Sequence, residues 1–238
     1  MMSMFALPAQ GAQGDRSIFC RVLDGRELDG ICPIDEAILT PLERAHYHHL
    51  RDARQRALAY RARSELKRML GRELGLPPQN VPLKADNFGK PRCTHAGAEG
   101  LDFSVAHTDD CALIALGEVD GLGVDVEGII TEEPEDEMLE ILFSDREKDC
   151  WRDLTAMQRR VAFTQAWTIK EAILKARGEG LSGSPHDVEV TFDEQGNAEP
   201  VFRDTQRQWT FQRINLSDRH AASLVAVHTP RPAWRKRY

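Results

Sequence analysis

The apolar positions of the chain recur at helical spacing in two long stretches. In the first half, the pattern predicts a helix over residues 51–73, ended by Gly75. Its apolar face is formed by Leu58, Ala62, Leu66, Met69 and Leu70. In the second half, the same kind of pattern predicts a helix over residues 159–176, closed by Gly178 and Gly180. Each half is therefore predicted to contain one long helix.

Runs of apolar or alternating residues predict strands on both sides of each long helix. The predicted strands cover residues 17–23, 101–105, 111–116, 121–126, 188–192, 209–214 and 222–227. Residues 1–16, with Pro8, Gly11 and Gly14, predict a loose tail. Helices and strands mixed in this way indicate an α+β fold with a boundary near residues 117–121 and no exact internal repeat.

Two short polar patterns predict the starts of further helices. Thr40 precedes Pro41 and Glu43, and Ser144 precedes Glu147 by three positions. A threonine or serine side chain can accept from the backbone N–H three residues on, while a glutamate there bonds back. Helices are therefore expected directly after residues 40 and 144.

Composition limits the classes of function. The 238 residues are 41% hydrophobic and 29% charged, which suits one large domain or two small ones. A net charge of -7 and a pI near 5.7 argue against a nucleic-acid partner. Five widely spaced cysteines without a Cys-x-x-Cys pair indicate reduced thiols rather than a zinc site. With no signal-peptide pattern and no run long enough to span a bilayer, a soluble cytoplasmic protein is expected, with no membrane partner.

Paired acids follow the strand predicted at residues 121–126. In Gly123-Val124-Asp125-Val126-Glu127, side chains alternate between faces, so Asp125 and Glu127 point the same way. Two like charges on one face repel, and a hard cation such as Mg²⁺ would relieve the repulsion. An exposed strand face with its acids outward explains this motif equally well.

Three other short motifs carry charged or titratable residues. On the second long helix, Glu171 and Lys175 are four residues apart and share a face, as in a common stabilising surface pair. His107 follows a predicted strand, where its ring could meet a phosphate or serve structure alone. Lys90 lies between a glycine and a proline, which fits either a solvated loop or a phosphate contact.

The combination and order of these motifs resemble the Sfp-type 4′-phosphopantetheinyl transferases. The string is Gly-Lys-Pro at 89–91, Phe-Ser-Val-Ala-His at 103–107, Gly-Val-Asp-Val-Glu at 123–127, and Trp-Thr-Ile-Lys-Glu-Ala-Ile-Leu-Lys at 167–175. The resemblance runs from about residue 40 to about residue 190. It implies two similar α+β halves forming an intramolecular pseudo-dimer, residues 1–120 and 121–238, with the active site between them.

The resemblance also implies roles for individual residues. The metal, Mg²⁺, would be held by Asp125, Glu127 and Glu171, and would bridge the pyrophosphate of coenzyme A, the co-substrate. Lys175 would contact the phosphate and assist the leaving group, and Glu171 is the candidate base. The nucleotide end of coenzyme A would be bound by Lys90, His107 and an arginine of the first long helix. Arg56 fits that arginine best, with Arg54 and Arg63 as alternatives.

The implied reaction transfers phosphopantetheine from coenzyme A to a serine of an apo acyl or peptidyl carrier protein, by a monomeric enzyme. Two candidate surfaces for the acidic carrier are the arginine-rich first long helix and the basic tail with Arg231, Arg235 and Arg237. One departure is Ala106, where the family usually has serine; the lost hydroxyl is expected to weaken a phosphate contact. Two alternatives share these residues: a Mg²⁺-dependent pyrophosphate hydrolase, and a non-catalytic module that binds coenzyme A or a carrier protein.

Overall fold

The computed structural model describes residues 3–8, 17–86, 89–179 and 183–229. The helices are α1 (Pro33–Ile38), α2 (Pro41–Tyr47), α3 (Ala53–Leu74), α4 (Asp136–Leu142), α5 (Asp145–Arg152) and α6 (Ala156–Arg177). The first seven strands are β1 (Ser3–Pro8), β2 (Ser17–Asp24), β3 (Leu83–Ala85), β4 (Pro91–Cys93), β5 (Leu101–His107), β6 (Cys111–Glu118) and β7 (Gly121–Gly128). The others are β8 (Glu189–Phe192), β9 (Ala198–Val201), β10 (Gln208–Arg213) and β11 (His220–His228).

The two halves of the chain repeat one arrangement. Each has a strand, two short helices, a 22-residue helix, a small hairpin and two more strands. The strand order β2-β6-β5 in the first sheet corresponds to β7-β11-β10 in the second, and all these pairs are antiparallel. The predicted α+β fold of two similar halves is confirmed, while the exact boundary at residue 120 stays a prediction.

The expectation of a loose tail is wrong for residues 3–8. They form β1, which pairs antiparallel with the outer edge of β2 from Ser3 opposite Val22 to Pro8 opposite Ser17. Pro8 misled the interpretation, because proline reads as a break yet is tolerated at the end of an edge strand.

Each half also contains the same buried ion pair. The predicted capping residue Thr40 forms a capping box with Glu43, and Ser144 forms the predicted capping box with Glu147. Those glutamates accept from Lys67 and Lys170, each at 3.0 Å and each the fifteenth residue of its long helix. A buried ammonium is costly without a partner. In each half, the glutamate that caps the short helix also neutralises the buried lysine of the long helix.

A shared apolar core joins the halves. Ile18 and Leu113 of the first sheet pack in one cluster with Leu122, Val124 and Leu224 of the second. The other face of each sheet packs against its own long helix, α3 or α6. The strand β7 is therefore covered on both faces, and this position determines where its acidic residues point. No helix in the part of the chain that the structure describes is both long and apolar enough to cross a membrane.

Candidate active site

The helix α6 lies unusually close to β7. A Cβ atom added to Gly123 would lie 1.8 Å from the carbonyl oxygen of Ala172, and one added to Gly121 would lie 2.1 Å from that of Ala176. Only glycine allows this approach. Because residues two apart on a strand share a face, Asp125 and Glu127 follow the glycines on the face that α6 covers.

Asp125 is buried against Lys175 of α6. Its Oδ1 accepts from the Lys175 ammonium at 2.6 Å, and its side chain is 7% exposed. Its second oxygen, Oδ2, is buried without a hydrogen-bond partner. Burial raises the pKa of Asp125 to about 6, although the Lys175 charge opposes the rise, and the charge of Glu171 adds to it. The carboxylate is thus short of compensating charge.

Glu127 lies at the outer end of the same strand face and is half-buried. Its pKa is raised to about 7, chiefly by burial and also by the charges of Asp125 and Glu171, while Lys175 opposes the rise. Three carboxylates therefore act on one another here, with Lys175 as the cation that both strand acids share.

The acids fit a magnesium ion in part. Among the described residues, no three His, Cys, Asp or Glu side chains gather as a ready-made ligand set. The orphaned Oδ2 of Asp125 and the raised pKa values nonetheless indicate uncompensated negative charge that a divalent cation would relieve. Mg²⁺ commonly binds through one or two carboxylates and completes its shell with water and substrate phosphates. The donor set suits such an ion, and the place of Glu171 as a third ligand stays a prediction.

The free edge of β7 is held by side chains instead of a strand. Asp102 Oδ2 and Ser104 Oγ, both on β5, accept from the backbone N–H groups of Leu122 and Val124 at 2.8 and 3.0 Å. Lys175 donates to the carbonyl of Val124 at 3.2 Å. The first half therefore fixes the strand that carries the acids.

Lys90 belongs to the same network. Its ammonium donates to Asp102 at 2.8 Å, to the carbonyl of Leu122 at 3.0 Å and to that of Lys175 at 3.3 Å. Burial lowers its pKa. Lys90 does not line the cleft that opens between the two halves, so its predicted nucleotide contact stays a prediction. Its structural role in this network was not suggested by the sequence. Residues 87–88 of the same motif lie outside the described residues.

A cleft of about 590 Å³ opens where the two halves meet. Its walls include Gln55, Leu58, Ala59, His107, Thr108, Asp109, Asp110, Glu127, Gly128, Arg219 and His220. Of the predicted site residues, the cleft contains His107 and Glu127, one from each half. Ala106 is buried in the shared apolar core, so a hydroxyl at that position would face the core rather than the cleft.

The three candidate arginines of α3 differ in their surroundings. Arg56 donates to the carbonyl of Leu50, a residue of the cleft wall, at 2.5 Å. Arg63 turns toward Glu43, at 3.5 Å, and Arg54 is exposed. The choice of Arg56 as the nucleotide contact stays a prediction. Gly180 and the arginines at 231, 235 and 237 lie outside the described residues.

Sequence reasoning missed a hydrogen bond that joins the halves across the cleft. His220 Nε2 lies 2.7 Å from Asp110 Oδ1, and His220 Nδ1 lies 2.9 Å from Ser217 Oγ. Burial alone would raise the pKa of Asp110, but the His220 hydrogen bond helps to hold it below its usual value. Because these residues are far apart in the chain and belong to no recognised motif, the sequence contained no signal for them.

Comparison with known proteins finds similarity to one family. Residues 121–225 match the family model of the 4′-phosphopantetheinyl transferase superfamily. The chain is 29% identical to the 4′-phosphopantetheinyl transferase HetI of Nostoc sp., over 78% of this chain and 76% of that protein. It is 28% identical to a phosphopantetheinyl transferase of Thraustochytrium sp., over 77% and 70%. A holo-(acyl-carrier-protein) synthase structure from Bacillus anthracis covers 47% of this chain and 98% of its own, at 23% identity and a TM-score of 0.39. The family model and these relatives confirm the resemblance found in the motifs: the chain is similar to the 4′-phosphopantetheinyl transferases, and residues 121–225 are the part that matches the model of their superfamily.

Proposed function

We propose that this chain transfers the 4′-phosphopantetheine group of coenzyme A to a serine of an apo carrier protein and releases 3′,5′-ADP. The observation that carries the proposal is the buried contact between Asp125 and Lys175, with Glu127 and Glu171 within electrostatic reach. Phosphoryl transfer depends on positioning and charge stabilisation, and this arrangement offers carboxylate ligands and a cation, with Glu127 on the wall of the cleft.

The residues of α6 have distinct roles in the proposed reaction. Glu171 takes the proton of the serine hydroxyl as the new bond to phosphorus forms and the bond to 3′,5′-ADP breaks. Lys175 stabilises the negative charge on the phosphate oxygens. Mg²⁺, held by Asp125, Glu127 and Glu171, would polarise the phosphoryl oxygen and stabilise the departing nucleotide.

Coenzyme A is proposed to occupy the cleft between the halves. His107 on its wall, Arg56 behind that wall and Lys90 at the β7 edge are the proposed nucleotide contacts. Because a single chain provides both walls, we propose a monomeric enzyme acting in the cytoplasm, with no nucleic-acid or membrane partner. The carrier protein and its pathway stay open among fatty-acid, polyketide and nonribosomal peptide synthesis.

Intact mass spectrometry of apo carrier proteins tests the proposal. A panel of carriers is incubated with coenzyme A, Mg²⁺ and the full chain. We expect at least one carrier to gain one phosphopantetheine group, and the gain to disappear with Glu171→Gln or with a metal chelator. The control Glu118→Gln removes an exposed acid at the end of β6 and should retain full activity.

The same assay separates the competing activities. Coenzyme A cleaved without any modified serine would instead indicate a pyrophosphate hydrolase. Binding of coenzyme A without either product would indicate a non-catalytic module. Modification that persists in Glu171→Gln at the wild-type rate would remove the proposed base.

A further inference from the structure

The turn between β10 and β11 forms one wall of the cleft. Arg219 and His220, at the end of this turn, both line the cleft. The turn belongs to the second half, and the first half faces it with the β5–β6 turn, which begins directly after His107. None of the motifs that indicate the family includes this turn, so its contribution follows from the fold alone.

The turn is fixed from several sides. The backbone N–H of Arg219 donates to Ser217 Oγ at 3.2 Å, and the carbonyl of Arg219 accepts from the N–H of Ile129 at 2.8 Å. His220 adds the hydrogen bond to Asp110 of the first half. Because the backbone is already held in this way, only the side chain of Arg219 has to be ordered when a ligand binds.

The charges of the cleft walls pose a problem for an anionic ligand. Asp109, Asp110 and Glu127 all line the cleft and would repel a phosphate. Two of them already have protein donors: Gln55 donates to Asp109 at 2.7 Å, and His220 bonds Asp110. A phosphate beside Asp109 and Asp110, away from the proposed metal ligand Glu127, would be stabilised by a further cation.

Arg219 is suited to supply that charge. Among the described residues that line the cleft, it is the only lysine or arginine. Its side chain is 62% exposed, and its guanidinium lies 4.0 Å from Asp110 Oδ2, the outer limit of an ion pair. A guanidinium held this loosely can turn to a phosphate, whose oxygens it matches in a two-point contact.

We propose that Arg219 binds a phosphate of the coenzyme A nucleotide, presented by a turn that His220 fixes to the first half. The inference rests on the proposed function, which places coenzyme A in this cleft. It adds a second-half cation to nucleotide contacts that the family motifs assign to the first half.

Calorimetric titration of the full chain tests this role. The dissociation constants of coenzyme A and of dephospho-coenzyme A, which lacks the 3′-phosphate, are measured for wild type, Arg219→Ala and Arg219→Lys. The matched control is Arg207→Ala, an exposed arginine 3.5 Å from Asp204 that precedes β10 and does not line the cleft. Melting temperatures confirm that every variant is folded.

We expect Arg219→Ala to weaken coenzyme A binding about 10- to 100-fold, because a charged hydrogen-bond partner is lost. Arg219→Lys should be intermediate, since a lysine keeps the charge but not the planar fork. Arg207→Ala should match the wild type. A loss that vanishes with dephospho-coenzyme A assigns Arg219 to the 3′-phosphate, and a loss that persists assigns it to the pyrophosphate; both support the proposal.

Equal affinities for Arg219→Ala and Arg207→Ala would overturn the role of Arg219 while leaving the transferase proposal intact. A wild-type chain that binds no coenzyme A, with or without Mg²⁺, would overturn the proposed function and this inference with it. The two failures are therefore distinguishable in one set of titrations.

Discussion

Single residues on β7 determine how closely the helix α6 can approach the candidate site. Gly123 contacts the α6 backbone through its Cα side, with no room for a methyl group. Asp125, two residues on, then lies against Lys175. The acid–lysine contact thus depends on a residue that has no side chain of its own.

Gly123→Ala is therefore expected to destabilise the fold by about 3 kcal/mol or more, because the added methyl group must displace backbone rather than a flexible side chain. Gly128→Ala, at the end of the same strand, meets nothing within 4 Å and should change stability little. Urea unfolding of both variants measures the difference. Two equally stable variants would contradict the close packing of α6 on β7.

The pKa of Glu127 gives a second prediction at this scale. Its folded pKa is about 7, above the ordinary glutamate value of 4.5, so the folded state binds more protons than the unfolded state between these values. The metal-free protein should therefore lose stability as pH rises from about 4.5 to 7 and level off above that. Glu127→Gln should remove part of this loss, about 2 kcal/mol at pH 8. Unfolding free energies at pH 5 and pH 8 measure it, and an unchanged pH dependence in Glu127→Gln would contradict the raised pKa.

At the scale of elements, the edge of β7 depends on β5 side chains. Ser104→Ala would leave the buried N–H of Val124 without an acceptor. We expect a loss of about 1–3 kcal/mol, together with a lower kcat. Ser184→Ala is the matched control, because Ser184 is exposed and its side chain caps no helix. Equal melting temperatures for the two variants would show that Ser104 does not support β7.

Helical periodicity predicted both long helices to within three residues at each end, because each has a continuous apolar face and a glycine stop. The capping patterns at Thr40 and Ser144 were also readable, since a capping box is local. The bond between Asp110 and His220 was not, because nothing local in either segment indicates its partner. The edge network of Lys90 and Asp102 was missed for the same reason: it depends on how two halves pack.

At the scale of the whole molecule, the repeated ion pairs favour two halves that fold separately, whereas the shared core favours halves that fold together. Each half carries its own buried lysine–glutamate pair, as a separate unit would. Yet the shared core unites both sheets, and side chains of β5 satisfy the backbone of β7. Neither half can be removed without exposing apolar surface and unpaired backbone groups of the other.

Lys67→Met tests whether the halves unfold together. The substitution removes the ammonium that Glu43 accepts from, while Arg63 at 3.5 Å and the N–H of Thr40 remain as its partners, so we expect a loss of about 1.5–3 kcal/mol. All four tryptophans lie beyond residue 120, so tryptophan fluorescence reports only the second half. If the chain unfolds as one unit, this first-half substitution should lower the tryptophan melting temperature as much as the far-ultraviolet circular dichroism transition. Lys84→Met, at an exposed position of β3, should shift neither signal. A tryptophan transition that stays at its wild-type temperature while part of the dichroism signal melts earlier would mean that the halves are independent, despite their common core.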